Sequence, residues 1–272
     1  MSTTDLSVIN GSTLSAKPLI LSVETATLGG SVCITLGASV LACNTGEPRV
    51  SHSNTLLRDI NKALEESKTK LSEISLFAVA SGPGSFTGLR IGIATVKGLA
   101  TTLEKACAGI PSLQAVAHAA GPSESSVALL PAGRGEVFAQ RFSVSHEGLV
   151  TELDSVAHIS PETMLERYDA VTNIRWCGEG AHIYADNIKQ WAERAGHELG
   201  VVTGDLESDF ADGWMMAKRE ADLARHVAAL ALIKFEQNLL ESPASLRAIY
   251  VRPSDAELKA ECRPPNQQPA RF

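Results

Sequence analysis

The segment from Leu76 to Leu103 constrains this chain more than any other. An apolar run, Leu76-Phe77-Ala78-Val79-Ala80, ends in Ser81-Gly82-Pro83-Gly84-Ser85-Phe86-Thr87-Gly88-Leu89-Arg90 and passes into helix-favouring residues, Ile91 to Leu103. A strand that breaks at glycines and restarts as a helix is a unit of α/β folds, where backbone N–H groups converge at the positive end of the helix dipole. The spacing fits none of three known devices. A Walker A loop needs a lysine beside its second glycine, and none follows until Lys97. The dinucleotide pattern wants its third glycine where Thr87 stands. A hydrolase elbow wants glycine two residues before the serine, and Pro83 precedes Ser85 there.

A chain of 272 residues suffices for one large domain or two modest ones. Its net charge of −7 makes it a poor stand-alone nucleic-acid binder, because neutralised phosphates supply most of that affinity. A role in a nucleic-acid pathway would need a partner to bring the basic surface. The five cysteines, Cys33, Cys43, Cys107, Cys177 and Cys262, are odd in number and never spaced C-x-x-C. That predicts reduced core residues in a cytoplasmic protein, with no disulfide framework and no thiolate zinc site. No apolar run approaches the ~20 residues that cross a bilayer.

Along the chain, residues 1–17 are polar and predict a disordered extension without a signal peptide. Leu19 to Val23, Ser31 to Leu36 and Val40 to Asn44 predict three strands joined by turns at Thr25–Gly30 and Gly37-Ala38. Leu56, Ile60 and Leu64 share one face of a helix from His52 to Ser67, and Leu57 falls off it. A strand at 75–81, the helix at 88–103, a strand at 108–111 and a helix capped by Ser112 complete β-β-β-α-β-α-β-α over 18–121. Gly121 to Ser126 marks the boundary. In 122–272 strands are predicted at 127–131, 136–144 and 150–158. A helix with Pro161 in its first turn follows, then a strand at 175–178 and a helical run at 180–195. Val201-Val202 predicts a last strand, 205–214 an acidic loop, and 220–240 a long terminal helix before a proline-rich tail. The two loosely repeated halves, each β-β-β-α-β-α, predict an α/β duplicated actin-like fold (ASKHA, ribonuclease H-like).

Taken with Ile91-Gly92, the loop from Ser81 to Arg90 resembles that of the TsaB (YeaZ) family, dimerisation subunits of the bacterial machinery that makes threonylcarbamoyladenosine in tRNA. Leu21-Ser22-Val23-Glu24-Thr25-Ala26-Thr27, His52-Ser53, Gly133-Arg134-Gly135-Glu136-Val137-Phe138 and the stretch from Tyr250 to Glu257 extend the resemblance in order along the chain. Three departures stand out: Glu24 where the family usually has Asp, Pro131-Ala132-Gly133 where it usually has Asp-Ala-Arg, and a longer N-terminal extension. The first two bear on any ligand contact at those positions. The resemblance implies a cytoplasmic subunit with no catalytic residue, metal or cofactor of its own. ATP or ADP would sit only at an interface shared with the catalytic subunit. The implied partners are the TsaD transferase, the TsaE ATPase and, when alone, a second copy; tRNA is met only through the complex. The first two helices are implied as the contact, which assigns Leu57, Phe86, Thr87, Gly88, Leu89, Arg90, Gly92 and Ile93 to a subunit interface.

The residues bear on catalysis independently. Catalytic relatives carry His-x-x-x-His on the first helix, two imidazoles one turn apart for a metal; here Leu56 stands four residues after His52. Val127 to Glu136 offers neither the aspartate nor the paired glycines of a second phosphate loop. An actin-like transferase or kinase active alone is the competing expectation, and a peptidase lacks any Ser-His-Asp or H-E-x-x-H arrangement. Glu24 reads as a turn carboxylate or a base, and Gly178 with Gly180 as a strand-to-helix turn or an adenosine-side turn. Gly84, Gly88 and Gly92 recur every four residues, each helical glycine costing ~1 kcal/mol against alanine. Something approaches that backbone closely, either the chain's own first helix or sheet or a second subunit.

Overall fold

The structure, a computed structural model, describes residues 17–46, 52–201 and 213–251, with the backbone alone at 52–54. The predicted extension up to residue 16, residues 205–212 of the acidic loop predicted at 205–214, Cys262 and the proline-rich tail beyond 251 lie outside these residues. The first half runs β1 (Leu19–Glu24), β2 (Ser31–Leu36), β3 (Ser39–Thr45), α1 (His52–Ser67), β4 (Leu76–Gly82), α2 (Phe86–Thr102), β5 (Ala106–Pro111) and α3 (Ser112–Ala119). That is the predicted order throughout. The second half runs β6 (Ser123–Gly133), β7 (Glu136–Val144), β8 (Val150–Glu152), β9 (Ala157–Ile159), α4 (Pro161–Tyr168), β10 (Ile174–Cys177), α5 (Glu179–Ile183), α6 (Ala185–Ala195), β11 (Leu199–Val201), β12 (Trp214–Met216) and α7 (Leu223–Glu236).

Two sheets result. The first has the order β3-β2-β1-β4-β5 and the second β11-β12-β10-β6-β7-β8, with β9 also on β7. β1 pairs antiparallel with β2 and parallel with β4; β6 repeats this with β7 and β10. This shared wiring, an antiparallel meander whose first strand continues into a parallel crossover, makes the fold a duplicated actin-like one. Alternation along β1 directs Leu21 and Val23 to the side of α1 and α2, and Ile20 to the side of α7.

Several boundaries differ from expectation for physical reasons. The strand expected over 150–158 is broken into β8 and β9, because Asp154 takes ladder positions: its Oδ1 accepts from Arg141 N–H at 2.8 Å and its carbonyl from Gln140 Nε2 at 2.9 Å. The helical run at 180–195 divides at Tyr184 (φ −104, ψ 23) into α5 and α6. Ser112 is the first residue of α3 rather than its cap, and its hydroxyl accepts from Gly82 N–H at 3.1 Å. β12 was not expected; Trp214 is wholly buried, edge-on to Trp176 at 5.0 Å between centroids. The expectation of reduced cysteines fails at one pair. Cys33 and Cys43 stand directly opposite each other on β2 and β3, Cα atoms 4.2 Å apart, and form a disulfide. Cys107 and Cys177 are buried free thiols.

α7 follows the second half in the chain but packs on the first sheet. Val227, Ala228 and Ala231 join Ile20, Ala78 and Ala108 in one core cluster, and Ser22 Oγ donates to Ala224 O at 2.7 Å. α3 lies against β6 and β7 and also against α7, so these two helices form the seam between the halves. Beyond α7 the chain stays on the first sheet: Glu241 and Cys107 exchange backbone hydrogen bonds, and Leu246 is 1% exposed in the core beneath α1 and α2. Leu246→Ala leaves a cavity there and should lower unfolding free energy by about 2–5 kcal/mol, read as a shifted urea midpoint; a change below ~0.5 kcal/mol would show that this segment contributes no core.

Candidate functional site

The loop between β4 and α2 is built around the turn that follows β1. Gly82 takes φ +111, a region that a Cβ disfavours. Ser85 caps α2, its Oγ accepting from Gly88 N–H at 3.2 Å. Ser85 N–H donates to Ala26 O at 2.8 Å, and Thr25 Oγ1 donates to Gly88 O at 2.8 Å. A Cβ at Gly88 would penetrate Thr25 O and one at Gly92 would penetrate Thr25 Oγ1, while one at Gly84 would lie 2.6 Å from Ala26. The glycine stripe therefore seats the chain's own turn after β1, at Thr25 and Ala26, and leaves the opposite side of α2 unaddressed.

The eight residues assigned to an interface separate accordingly. Gly88, Gly92, Leu89 and Ile93 are buried, the last two at 1% and 9% exposure in the core; they supply no outer surface. Thr87 and Arg90 are exposed, Phe86 is half-buried, and Leu57 on α1 is 63% exposed. Ala94 and Gly98, one and two turns beyond Arg90 on the same outward side, are also exposed. Their positions at i+4 and i+8 from Arg90 were the signal for them in the sequence. A Cβ at Gly98 would meet nothing within 4 Å. Arg90 is held in place: its guanidinium lies 3.8 Å over the Phe86 ring, and its Nε–H reaches Tyr250 Oη at 3.4 Å. Phe86 and Tyr250 pack at 5.0 Å between centroids.

Glu24 is 1% exposed and serves its own turn, accepting from Thr27 N–H and Thr27 Oγ1–H at 2.8 Å each. Gly178 and Gly180 press on Leu129 of β6, the packing of a strand-to-helix turn. Arg134 tips the β6–β7 hairpin at φ +53. A recess of about 610 Å³ opens between the halves, lined by Leu28, Phe86, Leu130, Pro131, Phe138 and Tyr250 among others, with Glu179 the only charged one among the described residues that line it. A smaller recess of about 260 Å³ holds Lys218, Arg219, Glu179 and Glu220, with Arg219 paired to Glu179 at 3.4 Å. Among the described residues no group of three or more His, Cys, Asp or Glu could hold a metal ion. Burial pushes the Cys177 thiol up to about 12 and Cys107 to about 11, so neither is a thiolate nucleophile.

The glycine seat gives a sign test. Alanine is the better helix former by ~1 kcal/mol, so at open Gly98, Gly98→Ala should stabilise by up to that amount. Gly92→Ala should instead destabilise by about 1–3 kcal/mol, since the clash with Thr25 outweighs propensity. Thermal melts of the two variants should move in opposite directions; a common upward shift would remove the seat.

Comparison with known proteins separates two related names. The family model described as TsaD, tRNA N6-adenosine threonylcarbamoyltransferase, matches residues 48–242. The tRNA N6-adenosine threonylcarbamoyltransferase of Protochlamydia amoebophila is 41% identical over 69 residues, which is 25% of this chain and 20% of that protein. The tRNA threonylcarbamoyladenosine biosynthesis protein TsaB of Escherichia coli K12 is 31% identical over 191 residues, 69% of this chain and 79% of its own length. Among solved structures, YeaZ from Pseudomonas aeruginosa superposes with a TM-score of 0.67 at 22% identity, covering 86% of this chain and all of that one. The TsaD family model and the TsaB relative both extend through the two halves, whereas the single transferase aligns over a short stretch only; at this identity and coverage the chain belongs to the TsaB (YeaZ) family.

Proposed function

We propose that this chain acts in the formation of threonylcarbamoyladenosine in tRNA as a scaffold subunit, binding and activating a TsaD-type catalytic transferase and doing no chemistry itself. The observation that carries the proposal is the outward side of α1 and α2. Leu57, Thr87, Ala94 and Gly98 are exposed there, and Arg90 stands fixed by Phe86 and Tyr250. Small residues let a second helix approach closely, and a pre-ordered arginine loses little entropy when it anchors a partner. The same side would serve a homodimer when the chain is alone, so the two assemblies compete. A TsaE-type ATPase and tRNA join through the complex, and ATP or ADP belongs to the interface shared with the catalytic subunit.

Leu89 and Ile93 are unsuitable probes, because altering them damages the core. Leu57→Asp combined with Ala94→Arg should weaken binding to the catalytic subunit at least tenfold, about 1.4 kcal/mol, by titration calorimetry, with far-ultraviolet circular dichroism unchanged. Unaltered affinity would overturn the assignment of this side. Turnover of ATP or of a peptide by the isolated chain would favour a self-sufficient enzyme instead.

A further inference from the structure

Two imidazoles meet at the seam between the halves. His118 of α3 and His226 of α7 hold their Nδ1 atoms 2.9 Å apart, with ring centroids at 5.1 Å. At that separation one nitrogen donates and the other accepts. Arg225 fixes the direction. A guanidinium offers only donors, and Arg225 Nε–H reaches His226 Nε2 at 3.2 Å. With Nε2 accepting, the His226 proton sits on Nδ1, which donates to His118 Nδ1; His118 then carries its own proton on Nε2.

A proton added at this bond falls on the accepting nitrogen, His118 Nδ1, and removes the acceptor that His226 Nδ1–H needs. Glu220 Oε2 lies 3.8 Å from His226 Nε2 and 2.5 Å from Arg225 Nη2. We propose that His118 and His226 form a pH latch between the halves, shut while His118 Nδ1 is bare and released when it takes a proton.

Glu220, Asp222 and Arg225 at the start of α7 act on His226, and Gly148 of the β7–β8 turn meets the His118 ring. Glu152 of β8 is occupied by Gln114 Nε2 at 3.0 Å, and Lys218 and Arg219 border the adjoining recess. A Cβ at Gly148 would lie 2.9 Å from His118 Nε2, so the backbone closes that side of the ring. Burial raises Asp222. Glu147 is lowered, chiefly by the Ser145 hydroxyl. Burial, followed by the charge of His226, lowers His118 from 6.5 to about 4. The sign follows: the shut state refuses a proton that the released state accepts, so the latch is fully effective above pH 6.5 and weakens as pH falls from 6.5 towards 4.

The test is amide hydrogen exchange on the full chain between pH 7.5 and 4.5, corrected for intrinsic rates and run with EDTA. α3 and α7 should lose protection by up to roughly tenfold per pH unit below 6.5, while α6 keeps its own. His118→Gln, which retains an acceptor for His226 but does not titrate, should flatten that dependence. An equal dependence in the variant, none in the unaltered chain, or one that appears only when EDTA is omitted and metal is present would overturn the latch. Should the variant not fold, nitrogen-15 spectra of the unaltered chain decide. A bare Nδ1 and protonated Nε2 on His118 at pH 6 support the latch, and an imidazolium or the opposite tautomer there overturns it.

Discussion

The seating of Thr25 and Ala26 on the glycine side of α2 is the contact from which the rest of the site takes its geometry. Thr25 Oγ1 reaches a carbonyl inside the first turn of the helix, and Ala26 O takes the N–H of the capping serine. No side chain larger than hydrogen fits at Gly88 or Gly92 while those bonds are made. β1 and α2 are thereby locked backbone to backbone, and the helix can turn only its other side outward. Glycine's cost in helix propensity is offset by tertiary contact, as packing commonly overrides propensity.

The same close packing engages the polar groups of the loop. Gly88 N–H goes to Ser85 Oγ, and Ser85 N–H goes to Ala26 O of the turn. Glu24, placed where a base would matter, spends both oxygens on Thr27. Among the described residues the larger recess is lined mostly by apolar and small side chains with one carboxylate, Glu179.

Much of this was legible from the residues. Period-two and period-3.6 patterns placed every element of the first half, and Leu57 was correctly set off the buried stripe of α1. Spacing also showed that Gly84, Gly88 and Gly92 accommodate something, but not what, because periodicity defines the faces of a helix without saying which neighbour each one meets. Leu89 and Ile93 illustrate this: on an amphipathic helix flanked by a partner and a sheet, an apolar residue suits either. The Cys33–Cys43 pair was not legible from spacing: continuing the hairpin register from Leu36 and Ser39 sets Cys33 opposite Ala42, and the irregularity between Ile34 and Thr35 is what brings Cys43 there. β12 and the destination of α7 depend on contacts far apart in the chain, beyond the reach of local pattern.

The return of Leu223–Tyr250 to the first sheet has a consequence for biogenesis. As the polypeptide leaves the ribosome, β1 to α3 emerge complete yet lack α7, Leu246 and the Tyr250 prop under Arg90. Helices α1 and α2 therefore reach their final setting only after Tyr250 has emerged, and a nascent chain stopped short of it presents an unsupported version of that side. Such long-range closure slows folding and makes the outward side of these helices the last part of the first half to be completed.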